Sequence, residues 1–598
     1  MPDPPSWDPR PLAFAQGSSG DENPDPGLVS FQPATSDGPQ GILGQLGKAE
    51  RADIAQFVRE KNNSYAREKH SNQTYSRLEN GEIRILELCP GTFDSDLHGM
   101  LHIASIDFEY ASVGNYKRFT NHAVSLTDNK PIWYTALSYV WGPPQFDVTF
   151  YLQDGTIQIT RTLESALRHL KIEKQSIYLW IDQICINQSD TREKGQQILL
   201  MGLVYSHATN TVIWLGEESN DNPHLAFETM QDVHSRVQLV DQEITPSDFK
   251  RLSLPGVRDQ AWWHIRQVFR RPWLTRVWTI QEALLSVRLI VKCGTVEVQW
   301  DDLAAWCYTL EHSGVMRWVI TNTDIDTQYG VNTPTISQLP VLGSSTINTL
   351  QQERILRMTH VQRELLLNVL VSTRYAQATN PKDKVYGILG LVDSKIVPKY
   401  SPDVSAREVY HEACSTMLPD QTYRLLSCVD HESPLEPSWV PDWSVPRVTA
   451  DLGFSTKSWN LYRAGGDKFD TVTGKAYLVG HVQLSDDEKE ITVHGKIFDK
   501  IATLGCVTTM TSFLDIDDPK VANRELVTYA DIVGAYNSYP TGATVYDAFW
   551  QTLVAGRDSS GNSVPPHEYN EVFEYRDHAI IAWPVIFSQT SERLLHTC

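Results

Sequence analysis

Residues Ile177 to Ile181 form an unbroken apolar run, Ile-Tyr-Leu-Trp-Ile, that stops at Asp182. A strand with one face in water alternates apolar and polar side chains. A run without alternation needs apolar cover on both faces, as the strands of a parallel sheet have. Thr211 to Leu215 repeats the pattern and stops at Gly216. Trp133 to Val140 ends in Trp141-Gly142-Pro143-Pro144, a strong stop, and Val287 to Cys293 is a fourth strand-like run. Helical signals lie between these runs. Thr160 can cap a helix whose apolar positions Leu163, Ala166, Leu167 and Leu170 fit the helical period. Asp190 and Glu193 form a capping box ahead of Ile198, Met201, Tyr205 and Ala208, which continue one face. A further helix spans about Leu274 to Ser286. Strands alternating with helices at this spacing predict an α/β fold, a doubly wound parallel sheet with helices on both faces. Segments 134–140, 177–182, 211–215 and 287–292 are expected side by side in it.

The rest of the chain reads differently. Residues 1 to about 42 are rich in Pro, Ser, Gly and Asp and are expected to be disordered, since few apolar groups repay ordering. A helix around Ala49 to Arg67 has no strong apolar face, and structure begins at Ile83, where Ile-Arg-Ile-Leu-Glu-Leu alternates as a strand does. After residue 300, helices are expected at Asp301–Glu311, Glu353–Thr373, Ser405–Met417 and Tyr546–Ala555, with strand-like runs at Ala476–Val482 and Glu490–Ile497. The resulting division is a polar tail, 1–81, an α/β domain, 82–300, and an α-rich α+β C-terminal region, 301–598.

Composition narrows the function classes. The 73 acidic against 52 basic residues give a net charge of −21, which argues against a broad nucleic-acid or anionic-membrane binder. The apolar run Ala579 to Phe587 is broken by Pro584 and is too short for a membrane span, and no signal segment opens the chain. The eight cysteines include no C-x-x-C pair, so neither a zinc site nor a redox motif is suggested and no metal is expected. Scattered cysteines fit a reducing, cytoplasmic setting. Cys185, between Ile184 and Ile186, reads as a buried inert thiol. The 17 tryptophans read first as core. No phosphate-binding P-loop and no internal repeat is present.

Three blocks carry a more specific likeness. They are Tyr134-Thr-Ala-Leu-Ser-Tyr-Val-Trp-Gly142, Leu179-Trp-Ile-Asp-Gln-Ile-Cys-Ile-Asn-Gln188 with Trp214-Leu-Gly216, and Arg271-Pro-Trp-Leu-Thr-Arg-Val-Trp-Thr-Ile-Gln-Glu282. Together they resemble the fungal heterokaryon-incompatibility (HET) domain. Asn380-Pro-Lys-Asp-Lys-Val-Tyr-Gly387 and Pro437-Ser-Trp-Val-Pro-Asp-Trp-Ser444 look like segments that often follow it. Members of that family often run on past a segment like Glu592–Thr597 into a Gly-rich β element, so a truncated C-terminal region is the expectation here. The resemblance implies a role in fungal non-self recognition, with growth arrest or cell death as output. It also implies a remote likeness to TIR domains, hence a TIR/flavodoxin-like sheet. Some TIR domains cleave NAD, which would make NAD a substrate rather than a cofactor. In those domains a catalytic Glu follows a Trp by four residues on one helix, a spacing that Trp278 and Glu282 share.

On that likeness Glu282 is the candidate catalytic carboxylate, able to steady an oxocarbenium-like state while a neutral nicotinamide departs. The alternative is a structural Glu that pairs with Arg276 or Arg271 or caps a neighbouring element. Asp182, at a strand end, either holds a ribose or closes the Asp182–Gln188 turn. Ser138, Tyr139, Trp141 and Gly142 lie where a ligand approaches the first strand of the resemblance, Trp141 offering a stacking face and Gly142 close backbone approach; core packing and a tight turn are the alternative. Trp278 stands between core and ligand wall. Arg276 and Arg271 suit either a phosphate clamp or an ion pair with nearby acids. Without chemistry, the module would relay its signal by self-association or by docking on an incompatibility partner.

Overall fold

The computed structural model describes residues 75–106, 124–126, 131–218, 221–238, 240, 242–321, 341–359, 365–429, 437–445 and 483–492. The tail before residue 43, the helix at Ala49–Arg67, the helix at Tyr546–Ala555 and the run Ala476–Val482 lie outside these residues. Of the second run, Glu490–Ile497, only the first three residues are described, and Ile491–Thr492 pairs antiparallel with Gln483–Leu484.

Eleven strands among the described residues join in one sheet: β1 (Glu82–Leu88), β2 (His98–Ser105), β3 (Val124–Leu126), β4 (Pro131–Ile132), β5 (Thr135–Tyr139), β6 (Val148–Leu152), β7 (Gly155–Ile159), β8 (Ile177–Trp180), β9 (Asn210–Trp214), β10 (Leu289–Cys293) and β11 (Val296–Gln299). The four segments expected side by side are so. β10, β9, β5 and β8 are neighbours in that order, and all three pairings are parallel. In chain order this is second, first, third, fourth, with β5 in the interior.

The sheet as a whole is mixed, not parallel throughout. β1 lies antiparallel between β8 and β2, and β11 folds back antiparallel on β10. β1 takes an inner position because six of its seven residues are buried, Arg84 and Glu87 included. Each buried charge has a partner. Glu87 accepts from His102 at 2.9 Å, and Arg84 grips Glu193 bidentately at 2.6 and 3.0 Å.

Helices cover both faces. They are α1 (Arg161–Leu170), α2 (Thr191–His207), α3 (Pro223–Val237), α4 (Gln260–Phe269), α5 (Val277–Leu285), α6 (Trp300–His312), α7 (Val341–Thr359) and α8 (Ala406–Leu426). Register sets Tyr139 beside Trp214, Ser138 beside Ile213 and Ala136 beside Trp180. Since strand side chains alternate, Trp214 and Trp180 face opposite ways. The Trp214 ring meets His169 of α1, while Trp180 meets Tyr205 of α2 and Ser138 meets Glu282 of α5.

The helix starts follow their capping residues, with one change. Thr160 accepts from the Leu163 amide and Asp190 from those of Arg192 and Glu193. Glu193 does not return to the Asp190 amide. It accepts from Asn187 N at 2.7 Å and from Arg84, whose buried cation outcompetes a neutral donor. The segment expected as one helix from Leu274 is a 3-10 turn, Pro272–Thr275, then α5, with Arg276 extended between them. The expected helix Glu353–Thr373 is two: α7 begins twelve residues earlier, at Val341, and a separate helix covers Leu366–Ser372. Gly343 hides that start from a propensity reading, and it is needed because a Cβ there would meet the Phe269 carbonyl of α4. α8 runs on to Leu426, beyond the expected end at Met417.

Tryptophan is core material as expected: Trp180, Trp214, Trp262, Trp273, Trp300 and Trp443 are all under 2% exposed. The described contacts of the segment Trp439–Trp443 are with the second half. Arg374 lies over the Trp443 ring at 5.5 Å, His411 over Trp439 at 5.3 Å, and Arg407 donates to Val440 O at 2.8 Å. The two halves are joined elsewhere, as where Arg354 of α7 donates to Ser286 O at 2.8 Å and to Ala283 O. Among the described residues no helix is long and apolar enough to cross a membrane.

The Arg84–Glu193 pair is the clearest stability test. Arg84→Ala leaves a half-buried carboxylate unpaired and should cost about 3–5 kcal/mol in urea unfolding. Adding Glu193→Ala should recover part of that loss, so the double variant unfolds at higher urea than the sum of the two single losses would give.

Candidate functional site

The carboxyl ends of β5 and β8 bring the site together. After β5, Trp141 leads into Gly142, whose φ of +74° carries the chain over the start of α1; a Cβ there would run into Thr162 Oγ1. After β8, Asp182 opens a one-turn helix, Asp182–Cys185. Its carboxylate accepts from the Gln183 amide at 2.7 Å, and its carbonyl accepts from Gln188 Nε2 at 2.8 Å, so Asp182 does close the local turn. The same carboxylate also accepts from the Trp141 indole at 2.8 Å. That bond joins the two strand ends and holds the Trp141 ring half-exposed, its edge on the exposed ring of Phe146 at 6.3 Å.

Beneath this rim lies a buried polar core. Ser138 Oγ accepts from the Trp273 indole at 2.7 Å and donates to Glu282 Oε2. Glu282 is 6% exposed, and burial pushes its carboxyl up to about 7, with the Ser138 hydrogen bond and the Arg276 charge acting against the rise. Asp182 is raised for the same reason, burial, against the Trp141 hydrogen bond and Arg276. The Tyr139 hydroxyl is buried within electrostatic reach of Asp182, Arg276 and Glu282, yet makes no well-formed hydrogen bond among the described residues.

Arg276 is the cation of the cluster. One Nη1 donor goes to Tyr139 O at 2.8 Å; its other guanidinium donors have no hydrogen-bond partner among the described residues, and the side chain is half-exposed. Neither Asp182 nor Glu282 approaches it closely enough for an ion pair. Arg271, the other candidate partner of Glu282, is ion-paired with Asp221 and donates to Glu217 O at 2.8 Å. The structural alternative for Glu282 is therefore its tie to Ser138 rather than an arginine pair.

Ser138, Tyr139, Trp141, Asp182, Arg276 and Glu282 thus gather around one strand end. Gly142 shapes the loop beside it without meeting the buried carboxylate. Trp278 is half-buried and packs beside Gly387, in the segment that also carries Asp383. Asp383 sits in the block Asn380–Gly387, which the sequence marks as a segment without marking the residue. Its carboxyl is raised by burial, opposed by hydrogen bonding from Tyr400 and Trp278 and by the charges of Lys194 and Arg276. Cys185 is buried with its thiol pushed up to about 12 by burial, which suits packing and not nucleophilic attack. Among the described residues no group of three or more His, Cys, Asp or Glu is placed to hold a metal ion.

Comparison with known proteins agrees with the motif blocks. Residues 134–282 match the family described as heterokaryon incompatibility protein (HET). Heterokaryon incompatibility protein 6, OR allele, of Neurospora crassa is 27% identical over 421 residues, covering 60% of this chain and 58% of the relative. The chain therefore spans little more than half of that relative's length. No solved structure matches this chain significantly.

The raised Glu282 carboxyl has a definite consequence for stability. Its folded value, about 7, stands above the 4.5 of the free side chain, so its contribution is fully present below 4.5 and is lost as pH rises through 7. Glu282→Gln keeps an acceptor for Ser138 and removes the charge. Relative to the parent it should gain thermal stability between pH 5 and 8, by about 3 kcal/mol at most. Equal melting differences at the two pH values would show that Glu282 does not titrate in this range.

Proposed function

With a heterokaryon incompatibility (HET) domain at residues 134–282, we propose that this protein acts in fungal vegetative incompatibility, with growth arrest or cell death as output, by cleaving NAD in the manner of TIR domains. One observation carries the enzymatic part: a buried carboxylate that titrates near neutrality lies at the end of β5 beside an arginine with uncommitted donors and half-exposed indoles. The strand order supports the comparison. Second-first-third-fourth is the order of flavodoxin-like sheets, in which ligands bind outside the carboxyl ends of the strands.

On this reading each residue has a task. Arg276 takes a phosphate oxygen. Asp182 accepts from ribose hydroxyls. Trp141 and Trp278 offer faces to the flat rings. Glu282, ionised, steadies the positive charge that grows on the ribose as neutral nicotinamide leaves; no general acid is required. Ser138 fixes one carboxylate oxygen so that the charge is preorganised. The working domain is 82–300, with the polar tail 1–81 before it and the α-rich region 301–598 after it, acting in the cytoplasm.

A second reading is favoured by the 6% exposure of Glu282 and its bond to Ser138. Both suit a carboxylate that only braces α5 against β5. The domain would then relay the signal by self-association or by docking on a partner.

Incubating the purified chain with NAD and separating nicotinamide by chromatography decides between them. Cleavage should rise with pH through about 7 as Glu282 ionises. Glu282→Gln should melt like a folded protein and lose about a hundredfold or more of the rate. A folded Glu282→Gln that still arrests growth as well as the parent would sink the enzymatic reading and leave the interaction module.

A further inference from the structure

The family match ends at Glu282, yet the start of α5 is held by a segment well beyond that point. Gln377 bridges Arg276 in parallel register: Val277 N donates to Gln377 O at 2.9 Å, and Gln377 N donates to Thr275 O. This bridge accounts for the extended residue between the 3-10 turn and α5, where a continuous helix was expected. The two hydrogen bonds flank Arg276, so they set where its side chain leaves the backbone. From there the guanidinium reaches Tyr139 O at 2.8 Å.

Lys384 holds the bridging segment in turn. It lies in a one-turn helix, Asp383–Tyr386, and is 7% exposed. Its ammonium donates to Arg374 O at 2.7 Å and to the carbonyl of Ala376, the residue before Gln377. A buried ammonium recovers its lost hydration only through such bonds, and charge-assisted ones are the stronger kind. The turn they close also carries the bond from Ala376 N to Thr373 O, 2.9 Å. Just after the same short helix, Gly387 stands so near α5 that a Cβ there would be 3.1 Å from Val277 Cγ1 and 3.4 Å from Trp278 Cδ2. The first turn of α5 is therefore met twice, by the Gln377 bridge and by Gly387. Lys384 ties the segment that makes one contact to the helix that leads into the other.

We propose that Lys384 is a positioning residue of the strand-end site. By holding the carbonyls of Arg374 and Ala376 it keeps the Gln377 bridge closed, and the bridge keeps Arg276 on the Tyr139 carbonyl at the end of β5. The site then depends on a cation outside the matched residues 134–282. The proposal rests on the reading given above only for what Arg276 binds; the positioning itself does not need that reading to be right. Lys384 touches no reacting atom. It acts through the backbone that seats Arg276, and misplacement of a binding group by about 1 Å is enough to cost a large factor in productive binding.

The test uses the full chain, with NAD as the probe ligand and phenylglyoxal as the probe of arginine. Lys384→Met keeps an unbranched apolar stem and removes the ammonium with both of its bonds. Hydrogen exchange, read by mass spectrometry on the peptide that carries Val277, should become several-fold faster, while peptides from β9 and β10 should not change. At constant pH, phenylglyoxal labelling of Arg276 should also become several-fold faster, because its seat on the Tyr139 carbonyl is loosened. Labelling of Arg161, whose side chain is 72% exposed, should not change. Lys384→Gln, which retains a donor, should fall between the parent and Lys384→Met. If the parent cleaves NAD, KM should rise by about tenfold with a smaller change in kcat, since Glu282 stays on Ser138. Faster Arg276 labelling in a chain that never cleaves NAD supports the positioning role and removes the NAD reading. Unchanged Arg276 labelling in a folded Lys384→Met overturns the positioning role; if the Val277 peptide nonetheless exchanges faster, Lys384 braces the turn and nothing more. Should Lys384→Met fail to fold, Lys384→Gln decides by the same labelling.

Discussion

Ser138 Oγ is the point at which the sheet, the 3-10 turn and α5 meet. A hydroxyl both accepts and donates, and here each capacity is used once, on the Trp273 indole and on Glu282. All three residues are buried, so removing any one leaves a polar group without water or partner. The bond also fixes which way α5 is turned. With Glu282 held inward on β5, Trp278 is left at the rim and Arg276, just before the helix, reaches the carbonyl of Tyr139. The geometry of the rim follows from one buried hydroxyl at the fourth residue of a five-residue strand.

That arrangement sets the electrostatics. The charge of Arg276 acts on Glu282, Asp182 and Asp383 and forms an ion pair with none of them, and burial raises the carboxyl values of all three. A neighbourhood with more acids than cations, little water and uncommitted arginine donors is poised to change protonation when a charged ligand enters. Structural carboxylates are more often paired off, as Glu193 is with Arg84 and Asp221 with Arg271 in this same chain. The contrast within one protein separates the charges that hold the fold from those left available at the strand ends.

The central strands were legible in the sequence because burial on both faces leaves unbroken apolar runs, as at Ile177–Ile181 and Thr211–Leu215. The antiparallel strands were not. β1 alternates as a half-buried strand does, and partners remote in sequence, Glu193 and the Cys185 carbonyl for Arg84 and His102 for Glu87, make these charges tolerable in an interior position. The hairpin β6–β7 has no such run, and its two strands lean on exposed residues such as Tyr151 and Gln158. At the site, the residues near the motif blocks were readable because turn residues and strand ends mark where chemistry collects. Asp383 was not, since an Asp in a Pro-Lys-Asp-Lys stretch reads as a solvated charge until Tyr400 is brought to it.

The division of the chain at about residue 300 is affected by the same contacts. A boundary drawn where the α/β pattern ends assumes that few contacts cross it. Here the backbone on either side of Arg276 is closed by Gln377, and α5 is braced on one side by Arg354 and on the other by the Gly387–Gly390 turn. Each of these contacts satisfies backbone groups or leaves no room for a side chain. Such contacts make α5 a shared element: its inward face belongs to the sheet and its outward face to the segment that follows. Arg276 and Trp278 therefore meet residues 377–390 directly, through the Gln377 bridge and the Gly387 packing, while Ser138 and Glu282 meet the sheet side. The strand-end cluster is thus built from both sides of a boundary drawn at about residue 300.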